Sequence, residues 1–114
     1  MNIRNLTVAA AILSALVSGA GQAQEDPTDV AAAKINEKFG GNVKKLFATK
    51  CSWCHQGYGM KQADGPKLAG TRKTVAQVMA QIVNGKTPMP GFKDQLSFEE
   101  IQALAEYIKA LPDS

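Results

Sequence analysis

The feature that most constrains this chain is the stretch "CSWCH", residues 51–55, which contains both cysteines and the only histidine of the 114-residue sequence. A thioredoxin-type dithiol needs strands alternating with helices, and the flanking segments have only helical periodicity. A disulfide within this stretch would close a very small loop, which gains little loop entropy. Zinc and iron–sulfur clusters need more Cys or His ligands than the chain supplies. These four kinds of site are therefore disfavoured.

Covalent attachment of a haem explains the spacing of Cys51, Cys54 and His55. Positions i, i+3 and i+4 share one face of a helical turn. The two cysteines can therefore form thioethers to the haem vinyl groups while His55 presents a ring nitrogen to the iron. A haem also supplies a large apolar body to a domain too small for a large core of its own. The sequence thus predicts one haem c, bound through Cys51 and Cys54 and ligated by His55.

The N-terminus has the pattern of a signal peptide that spans residues 1–23 and is removed on export. Arg4 precedes an uncharged apolar run, residues 6–20, which is shorter than the roughly 20 residues of a membrane-spanning helix. We therefore expect a periplasmic protein without a membrane span in the mature chain. Residues 24–41 are polar and alanine-rich, and we expect a flexible segment or a frayed helix there. Residues 42–114 are expected to form the folded domain.

Three segments of that domain have helical periodicity, and none has the alternating pattern of a strand. The first segment follows Asn42 and runs into the cysteines. The second begins at a capping box of Thr74 and Gln77, and the third begins at one of Ser97 and Glu100. Two long irregular segments separate them. The predicted fold class is all-α, with three to four short helices wrapped around one covalently attached haem.

One methionine has a setting that suits a second iron ligand. Pro88 and Pro90 flank Met89 and keep this segment out of a helix, so that Met89 is presented from a stiff loop. Met60 follows the cysteine motif too closely to pass round the haem edge, and Met79 belongs to the apolar stripe of the middle helix. A haem iron with histidine and methionine ligands has both axial positions filled, which suits the transfer of single electrons.

Residues 42–111 resemble a small class I cytochrome c, a c-type cytochrome with one haem and His/Met ligation. The matching stretches are "NVKKLFATKCSWCH", "GPKLAG", "TPMPGF" and "EEIQALAEYIKAL". The resemblance implies that residues 42–114 are a cytochrome c domain and that Met89 is the distal ligand. It also implies that the Pro66 carbonyl holds the proximal histidine and that Leu68 packs on the haem.

Several further residues take their expected roles from the same resemblance. Phe47 and Tyr107 resemble the aromatic contact between the first and last helices of the family. Val43 stands where family members often have a glycine, so the crossing of these helices is expected to be shifted or looser. Trp53 is expected either to reach the haem edge or to lie on a docking surface. The Arg72–Lys73 pair is expected either to pair with a haem propionate or to remain solvated.

The resemblance implies a one-electron carrier, not an enzyme, that docks transiently with redox partner proteins. The net charge of +3 is mild and the basic residues are scattered, which argues against a nucleic-acid partner. We expect a monomer that shuttles electrons between a dehydrogenase, such as a quinoprotein, or a membrane complex and a terminal acceptor. Two alternatives remain: a five-coordinate haem protein that binds a small gas or peroxide, and a fixed cytochrome subunit of one enzyme complex.

Overall fold

The structure, a computed structural model, describes residues 24–113, so the expected signal peptide lies outside the described residues. Within that range the chain forms α-helices and no strand. The four helices are α1 (Pro27–Phe39), α2 (Val43–Lys50), α3 (Val75–Asn84) and α4 (Phe98–Ala110), and a short 3₁₀ turn spans Gly57–Gly59. The predicted all-α class is confirmed. Within residues 24–113, no helix combines the length and the apolar character needed to cross a membrane.

The helix α1 corrects the expectation of a flexible or frayed segment over residues 24–41. The Asp26 carboxylate accepts a hydrogen bond from the Thr28 amide at 2.8 Å, and a proline follows in the first turn. Gly40 ends the helix with a φ of 69°. These are ordinary start and stop signals, which the polar, alanine-rich composition concealed. The helix is held by packing against α2 and α4. Its buried residues are Thr28, Ala31 and Ala32.

The last helix, α4, is the centre of the fold, because it packs against each of the other three. The predicted capping box is present: the Glu100 amide donates to Ser97 Oγ at 3.1 Å, and the Ser97 amide donates to Glu100 Oε1 at 2.9 Å. The predicted contact between the first and last helices of the domain is also confirmed. The rings of Phe47 and Tyr107 are both fully buried, with centroids 5.4 Å apart and planes tilted by 55°.

Val43 is the first residue of α2 and lies beside the end of α1. Val43 has 0% exposed surface. Its amide donates to Asn36 Oδ1 of α1 at 2.8 Å, which joins the end of one helix to the start of the next. Helices α1, α2 and α4 pack against one another around Val43, and the shifted or looser crossing of α2 and α4 stays a prediction.

The middle helix, α3, leads into the loop that contains Met89. Its predicted capping box of Thr74 and Gln77 is present, and it ends at Gly85 with a φ of 69°. A Cβ at Gly85 would lie 2.5 Å from a backbone nitrogen of the following loop, so the close approach requires glycine. The same loop returns to α3 where the Phe92 amide donates to the Ile82 carbonyl at 2.8 Å. The loop is therefore anchored on the end of α3.

Candidate haem site

His55 is held by backbone groups at the end of the "CSWCH" stretch. The amides of Cys54 and His55 both donate to the Cys51 carbonyl, at 3.3 and 3.0 Å, which closes a helical turn. The His55 residue is 7% exposed, and its Nδ1 donates to the Pro66 carbonyl at 2.9 Å. Because a carbonyl can only accept, Nδ1 carries a proton, and in the neutral form of the ring the lone pair is on Nε2. This arrangement prepares His55 to ligate a metal through Nε2.

Gly65 leaves the space that the His55 ring occupies. A Cβ at this position would lie 2.7 Å from His55 Cε1 and 2.9 Å from Nδ1. The Gly65 amide donates to the Cys54 carbonyl at 2.8 Å, which fixes the backbone against the motif. Only glycine fits so close an approach. The sequence carried no signal for this role beyond the place of the glycine directly before Pro66.

The residues of the cysteine motif share a cleft with Met89. This cleft has a volume of about 360 Å³, and Cys51, Cys54, His55 and Met89 all line it. Its other lining residues are Thr49, Lys50, Trp53, Pro90, Phe92 and Gln95. Two segments that are far apart in the sequence therefore meet at one site.

Met89 is presented by a tight turn that starts at Lys86. The Lys86 amide donates to the Met89 carbonyl at 3.0 Å, and the Met89 amide donates to the Lys86 carbonyl at 2.7 Å. The Met89 residue is half-buried and packs against the core. Met60 and Met79 also pack against the core but do not line the cleft. Among the methionines of the described chain, Met89 alone lies at the site.

The two cysteines are not joined in a disulfide, and both are half-buried. Desolvation by burial raises the pKa of the Cys51 thiol to about 12, so that it stays protonated at neutral pH. A protonated thiol is a poor redox nucleophile, because the thiolate is the reactive form. The environment of Cys51 therefore disfavours a redox-active dithiol.

Not every residue expected near the haem lines this cleft. Leu68 is half-buried against the core, where its amide donates to the Gly59 carbonyl at 2.9 Å. The Arg72–Lys73 pair is exposed and lies outside the cleft lining. Trp53 lines the cleft and is 81% exposed, which places it at the rim.

Four lining residues were not singled out from the sequence. Thr49 and Lys50 come from the end of α2, while Phe92 and Gln95 come from the loop after Met89. The position of Phe92 in the stretch "TPMPGF" was the available signal, and Phe92 is buried. The three polar residues gave no signal, because their place depends on how α2 meets a distant loop.

The residues of the cleft fit the attachment of one haem. Two cysteine sulfurs outside any disulfide, an imidazole and a thioether sulfur line one cleft, and Gly65 keeps the imidazole unobstructed. These donors match the ligation of c-type haems. An all-helical domain with this site defines the class of small, single-haem c-type cytochromes.

Residues 41–108, more than half of the chain, match the family model described as "Cytochrome C oxidase, cbb3-type, subunit III". The chain therefore belongs to the cytochrome c family that this model represents, and it carries one covalently bound haem c.

Relatives named cytochrome c6 agree with this assignment. The protein from Leptolyngbya boryana is 38% identical over 71 residues, which are 56% of this chain and 82% of that protein. The chloroplastic protein from Chlamydomonas reinhardtii is 33% identical over 116 residues, which are 94% of this chain and 71% of that protein. The structure of cytochrome c6 from the diatom Phaeodactylum tricornutum has a TM-score of 0.50 and 30% identity, covering 58% of this chain and 85% of that chain. The protein is thus a cytochrome c electron carrier and not an enzyme.

Proposed function

We propose that the protein shuttles single electrons between redox partner proteins through a haem whose iron is ligated by His55 and Met89. One observation carries this proposal: Met89 lines the same cleft as Cys51, Cys54 and His55, whereas the other described methionines do not. When bound, the haem iron accepts and releases one electron. Cys51 and Cys54 hold the cofactor covalently, so that it is not lost during repeated encounters with partners.

The two proposed ligands set the electronic character of the site. The hydrogen bond from His55 Nδ1 to the Pro66 carbonyl fixes the ring and raises the basicity of Nε2. The thioether of Met89 is a soft ligand, which favours the reduced state and raises the potential. Two protein ligands leave no iron position for oxygen or peroxide. The site therefore suits electron transfer and not substrate chemistry.

We assign the docking surface to the rim of the cleft around Trp53. A ring that is 81% exposed beside the haem-attachment motif offers a large apolar contact, and aromatic residues are enriched in protein interfaces. A small, transient contact suits a carrier that must leave each partner quickly.

Replacement of Trp53 by alanine should slow electron self-exchange between oxidised and reduced copies, measured by NMR, without changing the potential. We also propose that the carrier is a monomer in the periplasm, and the apolar run at residues 6–20 supports its export.

The ligand assignment is tested by spectra and potentials of Met89→Ala beside Met60→Ala as a matched control. A pyridine haemochrome spectrum of the wild type first establishes the haem c. We expect Met89→Ala to lose the spectral signature of methionine ligation and to drop in potential, because the soft ligand is gone. Met60→Ala should keep both properties. An unchanged spectrum and potential in Met89→Ala would show that Met89 is not the ligand.

A five-coordinate haem protein is the competing function, and the place of Met89 in the cleft argues against it. Carbon monoxide separates the two functions, since it needs a free iron position. We expect no binding to the native reduced wild type at neutral pH, and binding to Met89→Ala. Carbon monoxide binding to the wild type would favour the five-coordinate protein.

A fixed subunit of one enzyme complex is a second candidate, favoured by the description of the matching family model as an oxidase subunit. Size-exclusion chromatography of a native extract distinguishes it from a free carrier. The free carrier elutes at the size of a single small domain. A fixed subunit co-elutes with a large complex that also contains other chains.

A further inference from the structure

We propose that α1 helps to orient His55, acting through Lys44 and Tyr58 as positioning residues for the iron ligand. The inference rests on the proposed ligation by His55. The family match begins at residue 41, so α1 lies before the matched residues and its contribution goes beyond them. The inference is based on a series of linked contacts that begins at α1 and ends at the hydrogen bond between His55 and the Pro66 carbonyl.

The first contact fixes the side chain of Lys44, which belongs to α2. Its Nζ lies 2.7 Å from Asp29 Oδ1 and 3.9 Å from Asp26 Oδ2, both at the start of α1. The Lys44 side chain is only 20% exposed, whereas both carboxylates are more than half exposed. An ion pair of this kind adds little stability by itself. Its consequence here is geometric, because it limits the rotamers of a long side chain.

The second contact joins Lys44 to Tyr58. The Lys44 Nζ lies 4.3 Å from the centroid of the Tyr58 ring, within the range of a cation–π interaction. Tyr58 has a φ of 54°, in the left-handed region that side-chain-bearing residues rarely adopt. Such a conformation persists only where surrounding contacts hold it. Lys44 holds the ring, and the Tyr107 hydroxyl donates to the Tyr58 carbonyl at 2.8 Å.

The remaining contacts lead from the strained tyrosine to the ligand. The carbonyl of the next residue, Gly59, accepts from the amides of Leu68 and Ala69 at 2.9 and 3.0 Å. These amides belong to the segment that begins with Pro66, whose carbonyl accepts from His55 Nδ1. A displacement at the tyrosine therefore moves the acceptor that orients the imidazole.

Loss of the Lys44 contact should loosen the hydrogen bond between His55 and Pro66. A weaker bond lowers the basicity of His55, stabilises ferric iron less and raises the potential. The loss of a positive charge acts in the opposite direction, because a nearby cation disfavours the ferric state. A control variant with the same change of charge therefore separates the effect of a weaker His55–Pro66 hydrogen bond from the effect of the lost charge.

The test compares full-length, haem-loaded wild type with Lys44→Met and with Lys45→Met, a neighbouring and exposed position on α2. Solvent exchange of the His55 Nδ1 proton is followed by NMR of the reduced protein. We expect exchange about two- to fivefold faster in Lys44→Met, which corresponds to the loss of one cation–π contact. We expect Lys45→Met to exchange like the wild type and to have a lower potential than Lys44→Met.

Variants at Tyr58 check the second step. Tyr58→Phe keeps the ring, and its His55 Nδ1 proton should exchange at the wild-type rate. In Tyr58→Leu this proton should exchange as fast as in Lys44→Met. The double variant should exchange no faster than either single variant, because both remove one contact. Amide protons of α3 report global opening and should keep their wild-type rates.

Two results would overturn the inference: equal exchange in Lys44→Met and Lys45→Met, or an equal acceleration of the α3 amides. Equal exchange would show that Lys44 does not act on His55. An equal acceleration of the α3 amides would show that Lys44 acts only through a general loss of stability. A wrong assignment of the axial ligands is detected separately, by the spectra of wild type and Met89→Ala. The two proposals therefore fail in different measurements.

Discussion

At the residue scale, the state of His55 is set by two neighbours with no ionisable side chain. The Pro66 carbonyl accepts a hydrogen bond from His55 Nδ1, and Gly65 leaves space beside the ring. Tyr58 shows the reverse situation, since its unfavourable backbone conformation is maintained by contacts from other elements. The chemistry of the site thus depends on backbone placement as much as on the donor atoms.

A methyl group at Gly65 should disturb the ligand directly. In Gly65→Ala, the new Cβ would contact the His55 ring below the normal limit, which forces the ring or the backbone to move. We expect a loss of about 1–3 kcal/mol in the free energy of unfolding and a changed potential. Guanidinium titration and voltammetry measure the two effects.

Gly40→Ala is the matched control for that substitution. Gly40 has a φ of 69° with no atom within 4 Å of an added Cβ, so alanine strains the backbone without any clash. We expect a loss of stability with an unchanged potential. A potential shift of equal size in both variants would contradict a specific role for Gly65.

The buried hydroxyl of Tyr107 should make stability fall in alkaline solution. Desolvation raises the pKa of Tyr107 well above its usual value of 10. The unfolded chain therefore releases this proton at lower pH than the folded chain, and stability decreases as pH rises above about 10. In Tyr107→Phe, this decrease should be less steep.

Guanidinium unfolding at about pH 8 and about pH 11, followed by circular dichroism, measures that difference. At the lower pH, Tyr107→Phe should be less stable by about 0.5–1.5 kcal/mol, because the hydrogen bond to the Tyr58 carbonyl is lost. The same pH dependence in both proteins would argue against titration of Tyr107.

At the element scale, local signals predicted the helices that carry complete caps and an apolar stripe. The capping boxes that begin at Thr74 and Ser97 are self-contained, so α3 and α4 followed from the sequence. The caps of α1 were equally local, but its buried face consists of small residues that give no strong periodicity. Whether Lys50 or Gln95 lines the cleft could not be predicted, because that depends on long-range packing.

Substitutions on α1 test whether this helix packs against α4, as the structure shows. Ala31 is 2% exposed, whereas Ala33 on the same helix is exposed. Ala31→Lys places an unpaired charge in the core and should cost about 2–3 kcal/mol of unfolding free energy. Ala33→Lys introduces the same side chain at the surface and should have little effect. Equal stabilities in a thermal melt would indicate that α1 does not pack.

At the whole-molecule scale, the cofactor is a structural component as well as the redox centre. The four short helices leave a cleft of about 360 Å³ beside the core, and a domain of this size buries a limited share of its surface. A haem that gains its packing contacts and axial ligands only in the folded chain stabilises that state. Covalent attachment makes that stabilisation independent of free cofactor concentration.

Removal of the attachment points should therefore weaken the whole fold. The double variant Cys51→Ala/Cys54→Ala cannot form thioethers, and we expect a lower melting temperature with a broader transition. Far-UV circular dichroism of the purified haem-free protein measures this, with the haem-loaded wild type alongside. An identical and equally cooperative melt would show that the polypeptide alone accounts for the stability.

The division of the site between two segments has a consequence for assembly. Both thioether positions and the imidazole lie within the five residues 51–55, whereas the methionine follows on a turn anchored to the end of α3. The covalent step would thus need only a short stretch of the chain, residues 51–55. Ligation by Met89 would in addition need the folded turn after α3, so an unfolded chain could hold the haem covalently before this ligand is in place.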